Sequence, residues 1–179
     1  DYLAAPALLL HAQKKADIIY VGKKGGDHTL SQDEINALIV EKCQSGATVC
    51  RLKGGDPTVF GRLDEEIEAV TEAGIGWHII PGVTAAFAAA AAMGIEYTLP
   101  DISQTLILTR LAGRTPVPEK EALASLAAHQ ATMAIYLSTG MIDQVAAILQ
   151  PAYGTQAPCA VVYRASWPDE KTVEGTLAD

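Results

Sequence analysis

Aromatic residues are scarce in this chain, with two Trp, two Phe and six Tyr among 179 residues. Its hydrophobic share is nevertheless 49%, so aliphatic and alanine side chains must build the core, and there are enough of them to bury a sizeable one. Positive charge is also short. Asp and Glu number 21 against 13 Lys and Arg, for a net charge of −8, which argues against nucleic acid or an anionic membrane as partner. The three cysteines (Cys43, Cys50, Cys159) show neither a C-x-x-C nor a Cys/His ligand spacing and read as reduced thiols. His11, His28, His78 and His129 are scattered without acids or Cys at ligand spacing, so no metal site is expected. The longest apolar run, "AAFAAAAAMGI", is too short and too alanine-rich to span a bilayer. These absences together predict a soluble, cytoplasmic α/β protein.

Familiar catalytic and nucleotide signatures are missing too. There is no G-x-x-x-x-G-K-[ST], no G-x-G-x-x-G opening a helix and no G-x-S-x-G nucleophile turn. What the sequence does contain is alternation. "ADIIYVG", "ATVCRL" and "GWHIIPG" have the β-branched, glycine-bounded composition of buried strands. Between them lie "LSQDEINALIVEKCQSG", with Ser31 as N-cap, Glu34 at the capping-box position and Gly46 as stop, and "RLDEEIEAVTEAG", closed by Gly74. In the second of these, Asp64, Glu65, Glu66 and Glu68 read as a solvated acidic face. "VTAAFAAAAAMG" reads as a small-residue helix suited to close packing. From residue 101 the pattern changes. "SQTLILTR", "ATMAIYLST", "CAVVYRAS" and "KTVEGTL" read as strands, and "ALASLAAH" and "MIDQVAAILQ" as helices. The expected fold is therefore two α/β domains with a cleft between them, residues 1–100 and 101–179, a mostly parallel sheet in the first and a mixed sheet in the second.

Three glycine turns follow the strands of the first half: "GKKGGDH", "KGGDPTVFGR" and "PGVTAA". Parallel strands place such turns at one sheet edge, where ligands of open α/β folds bind. In "KGGDP" an aspartate stands where a phosphate would have to approach, which suits a ligand with hydroxyls or an ammonium group. The alternative is a purely local turn, with Asp56 satisfying nearby amides. Lys23, Lys24, Lys53, Arg62, Arg110 and Arg114 sit in these loops or at strand ends, where long cations reach ligand carboxylates or simply face solvent.

The blocks "YVGKKGGDHTLSQDEINALIVEK", "RLKGGDPTVFGR", "IIPGVTAA", "TLPDISQTLILTR", "AGRTPVPE" and "VVYRASWPDEK" occur in an order that resembles the tetrapyrrole methyltransferases over essentially the whole chain. The first half is most similar to the branch that methylates uroporphyrinogen III. The second half is closer to the branch that methylates precorrin-4 at carbon 11, with "LTRLAG" where the first branch usually has Thr-Gly-His and Leu137 where it usually has methionine. The resemblance implies an enzyme that takes a methyl group from S-adenosylmethionine, leaving S-adenosylhomocysteine, without a metal. It implies a cofactor held by Gly54, Gly55, Asp56, Thr84 and Ala85 on one side, and by Leu137, Ala160, Gly175 and Thr176 on the other. Tetrapyrrole carboxylates would meet Lys23, Arg62, Arg110 and Arg114, with Asp1 and Arg62 as candidates for managing the proton lost from the ring. Family members are commonly homodimers. The leading expectation is conversion of uroporphyrinogen III to precorrin-2 for sirohaem and cobalamin synthesis. The alternatives are methylation of precorrin-4, and a non-catalytic tetrapyrrole- or nucleoside-binding module. The family's opening strand and G-x-G-P-G-x-P loop have no counterpart in this sequence, so the resemblance also implies a longer natural protein.

Overall fold

The computed structural model describes residues 3–22, 30–113 and 115–179. Contacts divide the chain into two compact units, Asp1–Ala85 and Ala86–Asp179.

The first unit is organised by two helices. α1 (Gln32–Gln44) begins at the expected capping box: Glu34 N–H donates to Ser31 Oγ at 3.2 Å, and Ser31 N–H donates to Glu34 Oε2 at 2.6 Å. Two donors that a helix start leaves unpaired are satisfied by each other's side chains. α2 (Leu63–Glu72) ends where Gly74 turns left-handed at φ +68°. Asn36 of α1 donates to the Glu65 carbonyl of α2 and so ties the two helices together. The segments read as the first three strands, 16–22, 47–52 and 76–82, form no β-ladder among the described residues, and Ile18, Tyr20 and Ile80 are more than half exposed. Among the described residues the parallel sheet expected in this half does not form, and the parallel pairing of this α/β fold lies in the second unit. A strand exists only when a neighbour accepts its backbone hydrogen bonds, and none of these segments pairs with another.

In the second unit the expected strands form, but as two separate two-stranded sheets rather than one mixed sheet. β1 (Leu106–Arg110) and β2 (Thr132–Tyr136) pair in parallel, Leu106 opposite Thr132 and Arg110 opposite Tyr136. The crossover between them carries α4 (Leu123–Ala127). After α5 (Ile142–Tyr153), β3 (Pro158–Tyr163) and β4 (Lys171–Thr176) form a separate antiparallel hairpin. α5 runs on through Pro151 to stop at Gly154, beyond the expected end at Gln150. A proline so near the helix end removes one hydrogen bond without breaking the helix. The core gathers Leu111, Leu123, Ala127 and Leu149, with Met133, Ile135, Val145 and Ile148 against them.

α3 (Ala85–Met93) belongs by its contacts to this second unit, although the sequence pattern changes only near Pro100. The Tyr136 hydroxyl accepts from Ala86 N–H at 2.9 Å, and the Tyr97 hydroxyl donates to the Ala86 carbonyl at 2.6 Å. Thr132 in turn donates to the Tyr97 carbonyl. The start of α3 is thus bonded to the end of β2 through side chains 50 residues away in sequence. Among the described residues no helix is long and apolar enough to cross a membrane.

Candidate functional site: two interlocked glycine turns

In the first unit, "GGDPT" and "PGVTA" meet each other. Asp56 Oδ1 accepts from Thr58 N–H at 2.9 Å and from the Thr58 hydroxyl at 2.5 Å, while Oδ2 accepts from Gly82 N–H at 2.9 Å. The Thr58 hydroxyl, then the amides of Gly82 and Thr58, hold the Asp56 carboxyl below the usual carboxylate range. One carboxylate therefore shapes its own turn and staples it to the next.

The glycines explain how the turns come so close. Gly55 is left-handed at φ +73°, and a Cβ there would stand 3.6 Å from Thr84 Cα and the Val83 carbonyl oxygen. A Cβ on Gly82 would overlap the Gly55 carbonyl, and one on Gly54 would come within 2.7 Å of the Leu3 carbonyl oxygen. The double glycine serves backbone-to-backbone approach first, and Asp56 is engaged by protein amides. Gly54, Gly55, Asp56, Thr84 and Ala85 are accordingly brought together, as five residues of one cluster.

Arg62 follows on the same loop. It stands left-handed at φ +52°, two residues after Phe60 at φ +53°, at the start of α2. Such backbone costs on the order of 1–2 kcal/mol per non-glycine residue and concentrates at functional sites. The guanidinium forms a two-pronged pair with Glu65, Nε to Oε1 at 2.7 Å and the Nη2 nitrogen to Oε2 at 2.5 Å, and stays more than half exposed. Arg62, chiefly by these hydrogen bonds, holds the Glu65 carboxyl below its ordinary value. Phe60, Arg62, Glu65, Ile67 and Ile79 line an open groove of about 570 Å³. Its lining combines the Arg62 cation and the acids Asp64 and Glu65 with apolar surface from Phe60, Ile67 and Ile79.

Two readings of charge in this region need correction. Lys53 does not reach outward to a ligand; its ammonium is buried 2.8 Å from Glu66 and donates to the Gly61 carbonyl. Glu66 is not part of a solvated acidic face but is 6% exposed. Glu66 and Val70, one helical turn apart, are the two buried residues of α2, so the helix turns this acid inward.

In the second unit the candidates fall in two places. Arg110 closes β1, and its guanidinium donates to the carbonyls of Thr115 and Pro116 at 2.9 and 2.8 Å, which fixes the loop after the strand. Leu137 follows β2 left-handed at φ +57° with its side chain 69% exposed. The next residue, Ser138, is buried, and its hydroxyl accepts from Leu111 N–H at 2.9 Å and donates to the Tyr136 carbonyl at 2.7 Å. Ser138 and Tyr136 escaped the sequence reading because Leu111 and Ala86, to which they bond, are distant in the chain. Ala160, Gly175 and Thr176 lie on the β3–β4 hairpin, with Cys159 opposite Gly175 and Pro158 opposite Thr176. Asp179 Oδ2 accepts from Thr176 N–H and its hydroxyl at 2.8 and 2.9 Å. Asp1, Lys23, Lys24 and Arg114, with residues 23–28 of the "GKKGGDH" turn, lie outside the described residues. Among the described residues no group of three His, Cys, Asp or Glu is placed to hold a metal ion.

An α/β protein whose glycine turns interlock behind exposed, strained loop residues has the build of a small-molecule enzyme site. The sequence profile of the tetrapyrrole (corrin/porphyrin) methylases matches residues 2–179, and the chain belongs to that family. A cobalt-precorrin-4 C(11)-methyltransferase from Methanocaldococcus jannaschii is 46% identical over 172 residues, which are 96% of this chain and 64% of that protein. The chain thus spans slightly less than two-thirds of this relative. Among solved structures, a cobalamin biosynthetic enzyme, cobalt precorrin-4 methyltransferase, matches with a TM-score of 0.88 at 38% identity, covering 100% of this chain and 73% of the other. The uroporphyrin-III C-methyltransferase of Thermus thermophilus, complexed with S-adenosylhomocysteine, matches with a TM-score of 0.71 at 28% identity, over 89% of this chain and 67% of the other.

Proposed function

We propose that the protein is an S-adenosylmethionine-dependent C-methyltransferase acting on precorrin-4 or its cobalt form at carbon 11. The observation that carries the choice of substrate is the 46% identity to a cobalt-precorrin-4 methyltransferase, beside 28% to a uroporphyrin-III enzyme. The preference for uroporphyrinogen III, which rested on the loops of the first half, gives way to the precorrin-4 reading that the second half already favoured.

Gly54, Gly55, Thr84 and Ala85 form the cofactor side. Gly55 and Ala85 are exposed, Thr84 beside them is buried, and the neighbouring Asp56 is already satisfied by protein donors, which leaves Gly55 and Ala85 as the open edge of this cluster. The bound cofactor supplies an electrophilic methyl group on sulfonium sulfur. What the protein contributes is alignment of an electron-rich ring carbon with that methyl, since orientation lowers the barrier of a reaction needing no covalent nucleophile. Arg62 binds a carboxylate of the tetrapyrrole edge, exchanging or sharing its pairing with Glu65 in a geometry suited to a planar, two-oxygen partner. The groove beside Phe60 and Ile67 takes apolar ring surface. We further propose that Leu137 and the residues around Ala160 and Gly175 line the adenosine side, that Asp1, Lys23, Arg110 and Arg114 serve the macrocycle, and that the enzyme is a homodimer.

The test is incubation of the full-length protein with S-adenosylmethionine and, separately, precorrin-4, cobalt-precorrin-4 and uroporphyrinogen III. Product mass is then read for each. One added methyl on a precorrin-4 species and none on uroporphyrinogen III is the expected result. Two added methyls on uroporphyrinogen III would restore the other assignment, and tetrapyrrole binding without any transfer would make the protein a binding module.

A further inference from the structure

The loop that presents Arg62 rests on a buried cluster of charge. Lys53 Nζ lies 2.8 Å from Glu66 Oε2 and donates to the Gly61 carbonyl at 2.6 Å, and each side chain of the pair is 7% exposed. Glu66 Oε1 accepts from Arg51 Nε at 3.1 Å and from Gln32 Nε2 at 3.2 Å. Three donors from two segments, Arg51 and Lys53 before the glycine turn and Gln32 at the start of α1, therefore converge on one carboxylate of α2. Above the cluster the loop folds back on itself, with the Gly61 Cα so near the Pro57 carbonyl that no Cβ would fit.

A buried ion pair is rarely a better source of stability than well-packed apolar residues. What a lysine adds here is a donor aimed at one particular carbonyl. The peptide plane that contains the Gly61 oxygen also contains the Arg62 nitrogen. Anchoring that oxygen fixes the plane from which the left-handed Arg62 departs, and so the direction in which its side chain leaves the loop.

We propose that Lys53, held in place by Glu66, is a positioning residue for Arg62, so that a carboxylate of the substrate meets a guanidinium already aimed. The consequence for substrate rests on the tetrapyrrole reading above; the consequence for the loop does not. Lys53 reaches no ligand itself and acts through the backbone of Gly61.

The experiment uses the full-length protein with Lys53→Met, Arg62→Ala and the double variant, plus a charge-free pair, Lys53→Met with Glu66→Met, should Lys53→Met alone fold poorly. Uroporphyrin III, stable and rich in carboxylates, is the probe, titrated by absorbance, with S-adenosylhomocysteine titrated alongside. Lys53→Met should weaken uroporphyrin III by roughly tenfold, the size of one lost charge-assisted contact, while leaving S-adenosylhomocysteine within about twofold. In the Arg62→Ala background the same change should add nothing. Equal weakening in both backgrounds would show a general loss of structure and overturn the proposal, as would unchanged binding. If the wild-type protein does not bind uroporphyrin III, a result that the precorrin-4 reading also allows, amide exchange decides. Residues 58–63 exchanging faster in Lys53→Met, with α5 unchanged, supports the anchoring role. Wild-type rates throughout would end it.

Discussion

At Asp56, two carboxylate oxygens are divided between Thr58 on its own turn and Gly82 on the next. Asp56→Asn keeps one acceptor but sets an amide NH₂ against an N–H donor at the other side. It should weaken S-adenosylhomocysteine by roughly tenfold in a calorimetric titration, the effect of one mispaired polar contact. Because folding depresses the Asp56 carboxyl below its unfolded value of about 3.9, its contribution to stability is complete above that value and fades as pH falls through the folded one. Melting curves of wild type and Asp56→Asn should therefore converge on acidification below about pH 4. Ser138→Ala removes the acceptor for the buried Leu111 N–H, and urea unfolding should show a loss of about 1–3 kcal/mol. The sequence made the local half of these networks legible, Asp56 beside Thr58 and Glu34 three residues after Ser31. It hid the distant half, because nothing in the order of residues says that Asp56 meets Gly82 or that Glu66 meets Lys53. Periodicity held one clue to the latter, since Glu66 and Val70 share a face of α2.

Among elements, helices were read more surely than strands, and the physics of each explains why. A helix closes its hydrogen bonds within itself, so Ser31, Glu34 and Gly46 sufficed to bound α1. Ser31→Ala should lower stability by about 1 kcal/mol, measured by denaturant unfolding. A strand is a property of a pair. "SQTLILTR" and "ATMAIYLST" find each other as β1 and β2, whereas 16–22, 47–52 and 76–82 have strand composition without ladder partners among the described residues. The glycine turns divide in the same spirit. Gly74 is left-handed but faces open space, so Gly74→Ala should cost only about 1 kcal/mol in conformation and leave cofactor affinity intact. Gly82→Ala would drive a methyl group into the Gly55 carbonyl and should abolish S-adenosylhomocysteine binding while α1 and α5 remain folded by circular dichroism.

For the whole molecule, the family was legible because the glycine blocks stand in a diagnostic order, and the profile match over residues 2–179 agrees. The substrate was less so. Loops near Lys23 and Arg62 resemble one branch and the second half another, so the sequence blocks alone point two ways. The central claim is methyl transfer to a ring carbon of precorrin-4. It is tested most directly by giving the full-length protein S-adenosylmethionine with an isotope-labelled methyl group and cobalt-precorrin-4, then locating the label in the product by carbon NMR. The expected product carries one labelled methyl, bonded to carbon 11. A label at carbons 2 and 7 of a uroporphyrinogen-derived product, or none on any tetrapyrrole, would contradict it.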